Sequence, residues 1–206
     1  YLVEKFSGMP LDKYMEKELF KPLKMNETWF YPPENVFSRI PEATQPGKAT
    51  LYIEETLVLL PIDTQYSFGK NKTYFSGGGG LHSTAFDYFR FGQMMLKKGE
   101  LDGVRILSVK AVELMTQPTP DKFKTSFFTG NFWGYGVEVQ VEDTPDDPGY
   151  WLGGKGSYGW RGIWSTLWNN DPIDDTVVIL MTQVGADGAF PYLYLINTLA
   201  NVAVVD

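Results

Sequence analysis

Trp160-Arg161-Gly162-Ile163-Trp164-Ser165-Thr166-Leu167-Trp168 alternates along its length, Asn169-Asn170-Asp171-Pro172 closes it, and Thr176 to Val184 follows as a nearly continuous apolar stretch. Period-two alternation bounded by Asn, Asp and Pro reads as a strand and a turn, and the apolar stretch as a central strand buried on both faces. Upstream, Tyr135, Val137, Val139 and Val141 alternate with Gly136, Glu138, Gln140 and Glu142, predicting a half-buried strand before a turn at Thr144-Pro145-Asp146-Asp147-Pro148-Gly149. Downstream, Tyr192, Leu195, Ile196, Leu199 and Val202 recur at helical spacing. Strands joined by such short connections pair antiparallel, and the closing helix packs on them. The expectation is an α+β fold, an antiparallel sheet packed against helices.

Toward the N-terminus, Leu11, Met15 and Leu19 mark a helix opened by Pro10 and closed by Pro22. Residues 31–76 carry scattered Pro, Gly, Asn and Thr, which predicts loops with short elements. After Gly77-Gly78-Gly79-Gly80, Thr84 with Asp87 three residues on resembles a capping box, and Lys97-Lys98-Gly99 reads as the helix end. Phe86, Phe89, Phe91, Met94, Met95 and Leu96 make that helix apolar on many sides, so it is expected to be buried. Ser108 to Thr116 predicts one more short helix. One domain is expected, with residues 1–130 mainly helix and loop and 131–206 antiparallel strands plus a C-terminal helix.

Composition narrows the function. The 206 residues include 14 Phe, 12 Tyr and 6 Trp, and the formal net charge is −7, without the clustered Lys and Arg of a nucleic-acid surface. The longest apolar run, Val177 to Met181, is too short to span a bilayer. Absence of cysteine excludes disulfides, thiol nucleophiles and zinc–thiolate sites. The chain opens on Tyr1-Leu2-Val3 with neither initiator Met nor signal-peptide pattern, so it is expected to be incomplete at the N-terminus.

Several motifs invite a chemical reading. Gly154-Lys155-Gly156-Ser157-Tyr158-Gly159 fits G-x-G-x-x-G, yet a strand follows where a dinucleotide site needs a helix N-terminus. The tetraglycine precedes a helix but lacks the Lys-Ser/Thr of a phosphate loop, and reads as a tight approach to a helix start. Ser157 lacks the strand–Ser–helix context of a nucleophile elbow and reads as a turn residue. His82, the one histidine, has no marked acidic partner and reads as structural. Asp146-Asp147 and Asp174-Asp175 lie in turns. Ser67-Phe68-Gly69-Lys70 matches S-x-x-K, in which an amine one helical turn away activates a hydroxyl, but its glycine and polar neighbours describe an exposed loop. No metal-ligand spacing appears, and neither metal nor cofactor is implied.

Three stretches, taken together and in order, resemble the β-lactamase-like superfamily of class C β-lactamases, DD-peptidases and related serine esterases. Ser7-Gly8-Met9-Pro10-Leu11 through Pro22-Leu23-Lys24-Met25-Asn26-Glu27-Thr28 is similar to its "SG-x-P-L … PLGM-x-x-T" segment, with Lys24 where glycine is usual. Ser76 to Leu96 with Gly99-Glu100-Leu101-Asp102-Gly103-Val104-Arg105-Ile106-Leu107-Ser108 is similar to "SGGGGL-x-STA-x-D … GELDG-x-R-x-LS". Gly156 to Gln183 is similar to "G-WGG-x-x-GT … DP … VLMTQ".

The resemblance implies acyl transfer through a serine ester, with S-x-x-K and Y-x-N motifs in sequence preceding this segment and a third motif here, on Trp160-Arg161-Gly162. In that scheme Ile163 supplies a backbone N–H to the oxyanion and Gly162 leaves room for substrate. Trp160 walls the pocket, and Arg161, a departure from W-G-G, is turned by alternation away from Trp160, out of the pocket or toward a neighbouring element. The implied partner is a small-molecule or peptide ester or amide, in the cell envelope or secreted, and the chain alone is expected to be inactive. Against this stands a non-catalytic homologue that binds peptides or cell-wall fragments.

Overall fold

The computed structural model describes residues 1–41, 44–46, 59–61, 74–121, 130–141, 153–185, 195–196, 198–200 and 202–203. Helix α1 (Leu2–Ser7) stops at Gly8, whose φ of 71° lets the chain turn into α2 (Leu11–Met15). The Leu11–Met15–Leu19 pattern continues beyond α2 through a π-helical turn at Glu16–Phe20. That turn ends in a Schellman arrangement, with the Met25 N–H on the Phe20 carbonyl and the Lys24 N–H on Lys21. Lys24 therefore holds a φ of 55°, which explains why glycine suits this position. A 3-10 helix (Glu34–Arg39) and a small antiparallel pair, β1 (Thr44–Pro46) with β2 (Leu59–Pro61), follow.

Helix α3 (Ala85–Leu96) starts where expected. The Thr84 hydroxyl accepts from the Asp87 N–H at 3.2 Å. The Asp87 carboxylate does not reciprocate the cap. It is buried, and one of its oxygens accepts from the Glu27 N–H at 2.7 Å and the Thr28 hydroxyl at 2.9 Å, pinning the first segment to the helix. Arg90 adds a second tie, its Nε donating to the Leu23 carbonyl and its guanidinium pairing with Asp102 at 2.6 Å. Asp102 and Gly103, both at positive φ, turn the hairpin of β3 (Glu100–Leu101) and β4 (Val104–Arg105). Its carboxyl is held below the usual range by hydrogen bonds from Arg90 and Lys24. Helix α4 (Val109–Met115) forms where the sequence predicts a short helix, and the Ser108 hydroxyl caps it.

Five antiparallel strands run in the order β5 (Asn131–Trp133), β6 (Glu138–Gln140), β7 (Tyr158–Arg161), β8 (Leu167–Asp171) and β9 (Thr176–Leu180). Three expectations need correction. Residues 160–168 form parts of two strands, because the chain reverses between Arg161 and Leu167, with Ser165 at a φ of 59°. Asn169, Asn170 and Asp171 do not end a strand but belong to β8, fully buried, since Asn170 and Asp171 satisfy their polar atoms internally. Strand β9 lies at one end of the described sheet rather than at its centre, and its apolar character serves α3, which packs on it.

The β5–β6 turn takes Gly136 at a φ of 83°, so Tyr135 and Gly136 precede the strand rather than belonging to it. Glu138, expected on a solvent face, is 0% exposed, and Gln140 is buried as well, so β6 is covered on both faces. The turn expected at 144–149 lies outside the described residues, as does Tyr192. Residues 195–196, 198–200 and 202 are helical, with Leu195, Leu199 and Val202 exposed rather than turned into the core.

One core joins the two parts. Phe20, Leu23 and Met25 from the first segment and Met94 and Met95 from α3 cluster with Val137, Val139, Tyr158 and Trp168 from the sheet. Helix α3 reaches the sheet at Gly92, where an added Cβ would stand 2.8 Å from Val177 Cγ1 and 2.9 Å from Trp168 Nε1. The Asn170 amide donates to the Gly92 carbonyl (2.9 Å) and to the Tyr158 hydroxyl (3.1 Å), while its oxygen accepts from Trp168 Nε1 (2.8 Å). Only one side of α3 is used this way. Phe86 is 66% exposed, against the expectation of burial all round. The His82 backbone bridges Trp29 by two hydrogen bonds, and burial holds its imidazole pKa below the ordinary value.

Three outcomes follow from this packing. Lys24→Gly relieves the left-handed strain of about 1–2 kcal/mol. It gives up an exposed ion pair of small worth and some chain entropy, so the midpoint of thermal unfolding rises by about 1–3 °C, whereas Lys24→Ala gives no rise. Gly92→Ala overpacks the helix–sheet contact and costs about 1–3 kcal/mol in urea unfolding. Because the folded His82 resists protonation, its contribution is full above the unfolded pKa and is lost as pH falls through that value toward the folded one. Stability measured between pH 7.5 and 5.5 drops on acidification, and His82→Gln flattens the drop.

Candidate active site

Strands β7 and β8 form a hairpin whose loop, Gly162 to Thr166, is built by short-range contacts. The Gly162 N–H donates to the Thr166 carbonyl at 2.9 Å and the Ser165 N–H to the Gly162 carbonyl at 3.0 Å. The buried Ser165 hydroxyl donates to the Val184 carbonyl at 2.8 Å, and the Thr182 hydroxyl to the Trp164 carbonyl at 2.5 Å, so the loop is fastened to the chain beyond β9. A Cβ at 162 would run into the Thr166 hydroxyl as it is placed, so a larger residue there would require Thr166 to change rotamer. The space beside Gly162 is thus taken by Thr166, not left open along the Cβ direction. Ile163 follows at the tip, 72% exposed, and its N–H has no hydrogen-bond acceptor among the described residues.

Trp160 faces Trp168 across the β7–β8 pair and is half-buried. Its ring packs against Trp133 at the end of β5, with centroids 4.4 Å apart and planes inclined by 50°. Arg161 was expected to turn from Trp160. Its long side chain instead brings the guanidinium carbon to 5.3 Å from the Trp160 ring centroid, and the residue is only 9% exposed. Behind this wall Trp168 meets Tyr88, Phe91 and Tyr158 edge to face, and burial raises the pKa of both tyrosines.

The remaining motifs resolve into structure. The Ser157 hydroxyl is fully buried and donates to Asp171 Oδ2 at 2.9 Å, and the Gly154 N–H donates to the same oxygen at 3.0 Å. Asp171 Oδ1 accepts from the Ile173 and Asp174 N–H groups. One buried carboxylate therefore shapes both the glycine loop and the β8–β9 turn, and β7 rather than a helix follows the loop. Among the tetraglycine residues only Gly80 is crowded, by Ser76 and Phe30. Asp174 and Asp175 are exposed turn residues. Ser67, Lys70 and Asp146-Asp147 lie outside the described residues. Among the described residues no group of three or more acidic or histidine side chains could hold a metal ion, and no helix is long and apolar enough to cross a membrane.

Trp160, Gly162 and Ile163 are thus brought together on one hairpin. Trp133 is the neighbour that sequence reasoning missed, since a tryptophan 27 positions away carries no local signal of contact.

Comparison with known proteins identifies relatives of the chain. The chain is 31% identical over 196 residues to Protein Rv1367c of Mycobacterium tuberculosis, covering 88% of this chain and 45% of that protein. It is 31% identical over 195 residues to the N-acetylmuramyl-L-alanine amidase of Bacillus subtilis, covering 88% and 41%. To the putative D-alanyl-D-alanine carboxypeptidase of Escherichia coli it is 26% identical over 192 residues, covering 89% and 42%. The chain therefore spans less than half the length of these curated relatives.

Among solved structures, EstCE1, a hydrolase with promiscuous acyltransferase activity, superposes with a TM-score of 0.76 at 20% identity, covering 97% of this chain and 53% of that one. The octameric penicillin-binding protein homologue from Pyrococcus abyssi gives 0.65 at 20%, covering 98% and 39%. These likenesses establish the shared fold of helices and antiparallel sheet. The profile of the family described as "Beta-lactamase" matches residues 1–195, and the chain belongs to that family.

Proposed function

We propose that the intact protein is a serine hydrolase that works through an acyl-enzyme on esters, amides or peptides, and that this chain supplies its oxyanion side. The observation that carries the reading is the Ile163 N–H, without an acceptor among the described residues, at the tip of a fastened hairpin directly after Trp160-Arg161-Gly162. A serine hydroxyl, passing its proton to the neighbouring base, adds to the substrate carbonyl and pushes the carbonyl electron pair onto oxygen, and the protonated base then serves as the general acid. A fixed N–H aimed at that oxygen stabilises the tetrahedral intermediate without reorganisation, a contribution of about 3–4 kcal/mol. Collapse expels the alcohol or amine, which takes a proton from the general acid, and water then releases the acyl group by the same steps in reverse roles.

In this scheme Trp160 walls the pocket. Arg161, nearly buried against the Trp160 ring, acts on substrate by holding that wall. The nucleophile and its base belong to S-x-x-K and Y-x-N motifs outside this chain, a division consistent with relatives more than twice its matched length. The names of the amidase and carboxypeptidase relatives support a site of action in the cell envelope.

Hydrolysis of a chromogenic ester and of a cephalosporin separates the parts of this reading. The full-length gene product turns over at least one of them, and the 206-residue chain neither. Equal turnover by the short chain would remove the division of labour. In the full-length product, Ile163→Pro lowers kcat by about 10²–10³ while Ile163→Val, which keeps the N–H, stays near the parent rate.

A further inference from the structure

We infer that Trp133 is a specificity-determining residue of this site, and that Trp133 and Trp160 together form an apolar wall selecting an uncharged substituent beside the reacting carbonyl. The inference rests on the serine-hydrolase reading and adds the substrate class.

The position of Trp133 is fixed by its backbone. It ends β5 opposite Glu138, and its carbonyl accepts the Thr119 N–H at 2.8 Å. The next two residues are clamped as well, the Gly134 N–H on the Val137 carbonyl at 2.9 Å and the Tyr135 N–H on the Met115 carbonyl at 3.1 Å. Gly134 leaves no slack, since a Cβ there would collide with the Met115 carbonyl and stand 3.1 Å from the Gln117 carbonyl and Val139 Cγ2. The C-terminal end of α4 thus sets where the indole sits.

In contact at 4.4 Å with their planes inclined, and both half-buried, the two indoles form one apolar surface beside the hairpin loop whose tip is Ile163. Rings held in advance bind without further ordering cost.

Charge decides what that surface accepts. Trp133, Gly134, Tyr135, Gly136, Trp160, Gly162, Ile163 and Trp164 carry no ionisable group but the Tyr135 phenol. Arg161, the cation that the described residues place against the Trp160 ring, is 9% exposed. Among the described residues a carboxylate laid on the wall would lose water without gaining an exposed cation, whereas an alkyl or aryl group gains by burial. Neutral esters and amides with apolar substituents are therefore the favoured class.

The test uses two amides of one shape, N-(4-methylphenyl)butanamide and 4-(butanoylamino)benzoate, titrated into the full-length gene product with the initial change in indole fluorescence, before any turnover, as readout. The neutral amide is expected to bind about tenfold more tightly or better, and Trp133→Ala to erase that preference while Trp133→Phe, which keeps a ring, retains most of it. With 4-nitrophenyl butyrate, Trp133→Ala raises KM about tenfold and leaves kcat within a few-fold. Equal or tighter binding of the benzoate, or an unchanged preference in a folded Trp133→Ala, would overturn the inference. A protein that binds with this preference but hydrolyses no ester keeps the wall and sinks the hydrolase reading, whereas turnover without the preference does the reverse.

Discussion

Helix α3 and the sheet meet at a residue with no side chain, and the rest of the structure depends on that contact. At Gly92 the helix comes close enough for its carbonyl to receive the Asn170 amide, and the same amide holds Tyr158 while its oxygen takes the Trp168 indole. The three sheet residues in this network lie on β7 and β8, the strands that carry the candidate site. A buried polar group is tolerable when every atom is paired, and a paired network also fixes one arrangement among many. Asn170 thus settles both how near the helix lies and how the Trp168 ring is presented to Tyr88, Phe91 and Tyr158.

From that contact, order passes to the site by short links. Trp168 is the register partner of Trp160, whose ring rests on Trp133 and carries the Arg161 guanidinium. At one end of the hairpin strands, Asp171 gathers the glycine loop and the following turn; at the other, Ser165 and Thr182 fasten the loop that presents Ile163. Polar residues in this sheet organise backbone, which is why the serine and glycines that look like chemistry in the sequence turn out to be architecture.

Local signals were legible where the interaction itself is local. The cap at Thr84 joins groups three residues apart, and the helix expected over 108–116 forms as α4. The atypical Lys24 stands at a left-handed position, so the departure from the family pattern had a conformational meaning. Periodicity failed where burial is set by neighbours distant in sequence. Alternation runs through 160–168 although the chain reverses there, because Gly162 and Thr166 close a loop that pattern alone does not mark. Glu138 alternates like a surface residue yet is sealed inside, and Phe86 looks like core yet faces out.

The sequence by itself determined the fold class and the family, since each depends on residue identities at fixed spacing along the chain. Only the tertiary structure decided that the Ile163 N–H has no acceptor among the described residues, that Thr166 occupies the space beside Gly162, that Arg161 turns back onto Trp160, and that Trp133 stands beside it. Those facts are distances between strands and loops, and a distance across a sheet is set by packing and register, which no single stretch of sequence contains.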